Sequence, residues 1–429
     1  TPPTNDAGVY SIVTPTVPFS PGLQPIYASI RNFGSNTLTS ATVEWSINGV
    51  AQTNVNFAGS INSGDSAIVL LGNVNMVVGT NYNFSANTSL PNGSADAFAA
   101  NDTADHADIT PGLGGTFTIG GVSPDFADFN SAVASLNLGG TVDSVLFNVR
   151  DGIYNERIAF GIISKLDSNN YIIFQSESLD SSAVTLTAGY TSTLENYVVS
   201  FAGTMGVGFS MMKIQNSSTN SYSRVVLIDL GSQNLGFWNC SLIAGNTTSS
   251  VTSVVYAYNS QSGYPEPDNL SFIDCGLRGG YYGMYIRGRN VRVQNLTVEG
   301  CHFTETYYFG SYIYNQQDVT FRNNILRHRT TLNGNAYGIY FFDVHEGEVT
   351  GNQVLGHNAR YGASFNYCDG TASDTFLIAN NFFTSGGSTG SSYAMYMLSP
   401  TYAMVGHNSV WTTNTSASSA AFRDNASSN

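Results

Sequence analysis

The sequence predicts an all-β chain in two parts: an N-terminal β-sandwich over residues 1–110, then a right-handed parallel β-helix over residues 114–429 with a capping helix at its start. Three observations lead there. Charged residues make up only 10% while Phe and Tyr number 25 each and Gly 44, a profile of many strands joined by tight turns. Short alternating strands fill the first hundred residues. Beyond residue 236 one six-residue pattern recurs at irregular spacing, the mark of stacked coils with loops of variable length.

The sandwich is read from strands at 8–13, 26–30, 41–47, 67–70 and 81–85, with Asn48-Gly49 as a hairpin signal after the third. Even spacing with turn chemistry between strands points to an immunoglobulin-like arrangement. Asp6-Ala7-Gly8-Val9, Ile30-Arg31-Asn32-Phe33-Gly34, Trp45-Ser46-Ile47-Asn48-Gly49 and Asn101-Asp102-Thr103 resemble the CARDB type of bacterial adhesion-related sandwich over roughly residues 5–109. That resemblance implies an extracellular spacer.

Residues 110–115, Thr110-Pro111-Gly112-Leu113-Gly114-Gly115, read as a Gly/Pro linker. Ser123-Pro124-Asp125 reads as a helix start, with Ser as N-cap and Pro at the first position. Phe126, Phe129, Ala132, Val133 and Leu136 make one apolar stripe. A solenoid needs its open end covered, so this helix is expected to cap the array. The stretch from Val145 to Glu156, a strand, a Gly turn and a strand, resembles the opening of many pectate-lyase-like β-helices.

The repeat is Phe237-Trp238-Asn239-Cys240-Ser241-Leu242, matched by segments beginning at Phe272, Val298, Phe321, Val349, Ile378 and Val405. The first and sixth positions are always apolar, so they are expected inside. The fourth is Cys240, Cys275, Cys301, Asn324, Asn352, Asn381 and Asn408, at spacings of 35, 26, 23, 28, 29 and 27. An Asn there can bond to its copies one coil above and below, satisfying polar groups that would otherwise be buried alone. The cysteines are expected as buried free thiols. A second series at Tyr282-Gly283, Phe309-Gly310, Tyr337-Gly338, Tyr361-Gly362 and Tyr393-Ala394 predicts an aromatic face on which Gly lets the backbone bend. Those rings could be a structural ladder or a strip that stacks on sugars.

The net charge of −14 argues against nucleic acid, because phosphate binding needs clustered Lys and Arg. No apolar run reaches membrane-spanning length, and neither nucleic acid nor membrane insertion is expected. Thr1-Pro2-Pro3-Thr4 is no leader, so a signal peptide is expected to have been removed or left out. No zinc or cofactor spacing appears, so no metal and no cofactor are expected. The repeat register brings Glu299, His302, Arg322 and Arg327 to neighbouring coils of one face, and Trp238 to an outward position. Glu299, His302 and Arg322 are the catalytic candidates, able to bind or deprotonate an acidic sugar. With Trp238 and Arg327 they are also the ligand-binding candidates. The plainer alternative is a surface ion pair between Glu299 and Arg322. Only Lys165 and Lys213 are lysines, no acidic ladder is visible, His328, His345 and His357 read as isolated loop histidines, and Asp343, Glu346 and Glu348 read as scattered.

Sandwich, linker and capped β-helix together resemble large secreted cell-surface proteins of the Bacteroidetes, exported by type IX secretion and often adhesin-like. The resemblance implies an extracellular or cell-surface location, a polysaccharide or cell-surface glycan as partner, and the secretion machinery as a partner during export. The expected function is a noncatalytic adhesin or surface-fibre module, with a polysaccharide lyase or glycoside hydrolase acting on an acidic polysaccharide as the alternative. Asp65-Ser66-Ala67 and Asp102-Thr103-Ala104 match the O-glycosylation pattern of the same group, making Ser66 and Thr103 candidate acceptors in expected loops. Because Ala420-Ala421-Phe422-Arg423-Asp424 repeats the aromatic face with no closing element after it, further coils are expected beyond Asn429.

Overall fold

The computed structural model describes residues 2–165, 167–189, 192, 196–218, 221–259, 261–289, 291–356, 358–386 and 390–425. His357 lies outside them. The described residues are strands with one α-helix and two short 3-10 turns, and no helix among them is long and apolar enough to cross a membrane. The chain divides into two compact units, residues 1–115 with 134–145 and 163–170, and residues 116–133 with 146–162 and 171–429.

In the first unit two antiparallel sheets face each other. One orders Ala7–Ile12, Gly22–Asn32 and Ser66–Met76; the other orders Val50–Ala51, Leu38–Ile47, Tyr82–Ser89 and Thr103–Ile109, with Val55–Ile61 also on Leu38–Ile47. Ile26, Ile30, Val43 and Phe84 close the core between them. Asn48 and Gly49 both take positive φ, 50° and 78°, and join Ile47 to Val50 in the hairpin their sequence implied. The strands Val55–Ile61 and Thr103–Ile109 escaped the sequence reading because exposed polar residues alternate through both. The expected linker is partly buried and runs into a strand. Thr110 and Leu113 are buried, and Leu113–Ile119 is a strand.

The helix spans Phe129–Gly139, six residues after the expected N-cap. Ser123 sits at φ 48°, and Asp125 instead accepts from the Thr118 backbone N–H and hydroxyl, both at 2.7 Å. Asp128 and Ser131 form the actual capping box: the Ser131 N–H donates to Asp128 Oδ1 at 2.8 Å and the Asp128 N–H to Ser131 Oγ at 3.3 Å. The Glu156 carboxylate takes the next two N–H groups, from Phe129 and Asn130. The apolar stripe is buried as read, and Phe129 stacks on Phe174 at 5.8 Å.

The second unit is a parallel β-solenoid with three columns of strands. The first column contains Gln233–Trp238, Asp268–Ile273 and Val293–Glu299; the second is a ten-stranded sheet from Gly152–Asn155 to Ser409–Thr412; the third runs from Ile158–Phe160 to Ala420–Asn425. Register is residue over residue: Phe237 lies beside Phe272, then Val298, then Phe321. The first- and sixth-position side chains are inside, at 2% exposure or less from Phe237 to Phe383. Val405 departs from this at 43%. Phe147, Phe174, Phe209, Phe237 and Phe272 stack inside with centroids 4.6 to 5.6 Å apart.

The corner between the first two columns is turned at the third repeat position. Asn239, Asp274, Gly300, Asn323, Gly351, Asn380 and His407 all have φ between 51° and 67°, where Gly, Asn and Asp are least strained. The next residue carries the ladder. Asn352 Oδ1 accepts from the Asn324 backbone N–H and Nδ2, both at 3.0 Å, while Asn352 Nδ2 donates to the Phe321 carbonyl at 2.8 Å and to Asn381 Oδ1 at 3.0 Å. Both amide protons and both oxygen lone pairs are used. Cys240, Cys275 and Cys301 hold the same position as buried free thiols, each donating to main-chain carbonyls at 3.3 to 3.4 Å. Burial pushes the Cys240 thiol up.

Glycine on the aromatic face works by space rather than by bending. Gly283, Gly310 and Gly338 have ordinary φ, but a Cβ on any of them would overlap the carbonyl of the same position one coil on.

Replacing Asn352 with Ala strands donors and acceptors on both neighbouring coils and is expected to cost about 1–3 kcal/mol. Thr350→Ala, two residues away on the outer surface, is expected to cost under about 0.5 kcal/mol. Urea denaturation midpoints compare the two. Equal losses would refute the ladder's role.

Candidate functional site

Trp238, Ile273, Glu299, Arg322, Thr350 and Ala379 form one outward row up the first column. Glu299 and Arg322 pair at 2.8 Å on this row. His302 and Arg327 do not join them. The left-handed residues Gly300 and Asn323 turn the chain in between, so His302 and Arg327 project from the ten-stranded sheet round the corner. The expectation of one shared face is therefore corrected.

Trp238 behaves differently from the other outward aromatics. Its indole lies over Gly236 of its own strand and Gly208 of the preceding coil, where a Cβ on either would overlap the ring. Beside it is a cavity of about 170 Å³ lined by Tyr171, Ile173, Asn234, Trp238, Asn269 and Ser271 among others. Asn269 Nδ2 donates to Asn234 Oδ1 across the rim. By contrast the aromatic face consists of self-stacked columns. Tyr256, Tyr285, Tyr312 and Tyr340 follow at 4.8, 4.8 and 5.1 Å with planes within 14° of parallel, and Arg224 closes the lower end 3.8 Å from the Tyr256 ring. Tyr282, Phe309, Tyr337 and Tyr361 form a second column at 5.4, 5.0 and 4.4 Å. The inner rings of each column are covered on both faces and offer only their edges, as in a structural ladder.

Two polar clusters were missed by the sequence reading. Arg292 Nη2 lies 2.9 Å from Asp343 Oδ1 and 2.8 Å from His345 Nε2, which is itself 3.0 Å from Asp343 and 3.8 Å from Asp369. Asp343 is thus gathered rather than scattered, and His345 is neither isolated nor in a loop, since it ends the strand Tyr337–His345. One carboxylate oxygen each from Asp318, Glu346 and Asp374 lies within 4.8 Å of the others, beside a cavity of about 460 Å³. Burial, then Glu346 and Asp374, push the Asp318 carboxyl up. Oxygen donors of this kind suit a hard divalent cation, or share a proton. A signal existed: these residues stand six, six and seven positions before Asn324, Asn352 and Asn381, as Asn234, Asn269 and Asn295 stand six before Cys240, Cys275 and Cys301. His328 is no acid-base candidate. It bonds Thr306 Oγ1 at 2.9 Å, and burial pulls its imidazole down to about 4.

Ser66 and Thr103 are exposed as expected, but each opens a strand rather than lying in a loop, because the sheet registers reach Arg31–Ser66 and Asn87–Thr103. The neighbouring Asp102 carboxyl is pushed up to about 6 by burial, then by Asp96 and Asp6, and its Oδ1 is buried without a hydrogen-bond partner.

A family model described as a right-handed β-helix region matches residues 235–394. No curated protein matches the chain. Among solved structures, the CARDB domain of a Pyrococcus furiosus protein in complex with di-metal ions aligns with 25% of this chain and 89% of its own at 19% identity and TM-score 0.22. Pectin methylesterase from Aspergillus niger in deglycosylated form aligns with 72% and 90% at 12% identity and TM-score 0.37. A Streptococcus pneumoniae surface protein and adhesin aligns with 71% and 98% at 10% identity and TM-score 0.35.

Asp102 gives a pH prediction. Between about pH 4 and 6 the folded carboxyl keeps a proton that the unfolded chain has lost, so this stabilisation is present below that window and fades as pH rises through it. Asp102→Asn fixes the neutral form. It is expected to raise the thermal midpoint above pH 6 and to leave it near the wild-type value at pH 4. A variant as pH-dependent as the wild type across that window would remove Asp102 as the source.

Proposed function

We propose that this chain is a noncatalytic, extracellular cell-surface module of the adhesin kind that binds glycan on its β-helix. The observation that carries the reading is Trp238: alone among the outward aromatics described above, its indole rests on glycine backbone beside an amide-rimmed cavity instead of being consumed in a ring stack. Aromatic surface with a few placed polar groups is how proteins hold sugars and other small ligands. In this reading the first hundred or so residues, to about 110, form an immunoglobulin-like spacer, the helix at Phe129–Gly139 caps the β-helix that runs from about residue 114, and the CARDB and Bacteroidetes resemblances supply export by type IX secretion and O-glycosylation at Ser66 and Thr103.

A second reading, a polysaccharide lyase or glycoside hydrolase, draws its support from the Asp318, Glu346 and Asp374 carboxylates rather than from Glu299, His302 and Arg322. Neighbouring carboxylates, one of them held protonated, are the equipment of glycoside cleavage, and burial with the Glu346 and Asp374 charges raises the Asp318 carboxyl.

Glycan-array binding of the whole chain, run in parallel with a reducing-end and unsaturated-product assay on the bound glycans, separates the two. Binding that Trp238→Ala abolishes, without product release, is the expected result. Product formation that Glu346→Gln abolishes would replace the first reading with the second.

A further inference from the structure

We infer that the ligand of the Trp238 platform is an uncharged pyranoside chain rather than a uronate-bearing one; the inference rests on the reading that this platform binds glycan. Tyr171, Ile173, Asn234, Trp238, Asn269 and Ser271 line the cavity with backbone and apolar neighbours, and no lining side chain carries a charge at neutral pH. A carboxylate seated there would shed water and meet no cation. Asp268, the neighbour of Asn269 in the chain, is an acid: its Oδ1 accepts the N–H of Asn269 at 2.9 Å and of Gln294 at 2.9 Å.

The same corner stays acidic further up. Asn234, Asn269, Asn295, Asp318 and Glu346 share one left-handed position on successive coils, with φ from 49° to 57°. Coils rise by about 4.8 Å, so Asp318 stands roughly 10 Å from Asn269, about one Debye length at 0.1 M salt. A polyuronate extended along this corner would run into the Asp318, Glu346 and Asp374 carboxylates. A neutral chain meets no such field.

The polar groups match hydroxyls. Because Asn269 Nδ2 donates to Asn234 Oδ1, the pair keeps Asn234 Nδ2 as a donor and Asn269 Oδ1 as an acceptor. Adjacent hydroxyls of a pyranose can accept from one and donate to the other. The C–H face of the same ring carries partial positive charge toward the negative face of the indole.

The test titrates the full chain calorimetrically with neutral oligosaccharides (gluco-, galacto-, manno- and xylo-configured) and with oligogalacturonate, at low and high salt. A neutral member is expected to bind with little salt dependence, and Trp238→Ala is expected to weaken it at least about tenfold. Asn269→Gly removes the amide while suiting the positive φ, and is expected to weaken the same ligand in a protein that unfolds at the wild-type temperature. Oligogalacturonate binding that requires Trp238 overturns the neutral-ligand inference and leaves the platform standing. Failure of every neutral member to bind also overturns it. Glycan binding indifferent to both substitutions removes the platform itself.

Discussion

Everything in the β-helix depends on each coil turning its corner at the same residue. The left-handed third position and the ladder beside it are one device. A residue with φ near 55° turns the chain from one strand column to the next, and the following side chain then points into the corner, where its copies lie directly above and below. Slipping one coil by a residue would swap inside for outside along the whole strand and leave Asn324, Asn352 and Asn381 with unmade bonds in a dry interior. The apolar first and sixth positions supply most of the burial, but they would tolerate near-misses that the amides do not.

A register fixed from inside leaves the outer surface free. Along the outward row, Trp238, Ile273, Glu299, Arg322, Thr350 and Ala379 share a backbone position yet have nothing chemical in common. Insertions are equally free at the loops, which is why coil lengths range from 23 to 35 residues while the pairing stays in step. Surface chemistry can change coil by coil without disturbing the core. The aromatic face uses part of that freedom for stiffness: Arg287 lies between Tyr258 and Tyr314 at 5.3 and 5.1 Å, continuing a stacked column where a ring is missing.

How much of this was legible follows from the same geometry. The Asn ladder could be read because few residues satisfy a buried corner, so Asn recurs at 324, 352, 381 and 408. The inside positions could be read for the same reason. The helix start could not: Pro124 and Asp125 are good N-terminal residues in isolation, but Asp125 finds Thr118, and Asp128 with Ser131 caps the helix instead. The Glu299 and Arg322 pair was legible from register, whereas the exclusion of His302 required knowing that Gly300 turns the chain. The Arg292, Asp343, His345 cluster was out of reach, since Arg292 and Asp343 lie 51 residues apart and contact depends on counting coils through loops of unequal length.

The second left-handed corner shows why the site itself is harder to read than the fold. Asn and Asp are favoured there simply because their side chains tolerate positive φ, so Asn234, Asn269, Asn295 and Asp318 need no ligand to explain them. Turn chemistry and binding chemistry ask for the same residue types at the same place. What breaks the tie is a residue that the backbone does not ask for. Glu346 takes φ 49° without the short side chain that eases it, and stands where its carboxylate faces Asp318 and Asp374 rather than away from them. Trp238 requires Gly at two aligned positions, Gly208 and Gly236, although neither glycine has a φ that demands it. Those glycines serve the indole and not the fold. On a scaffold this repetitive, a departure of that kind marks a position where the side chain, and not the coil, dictates its neighbours.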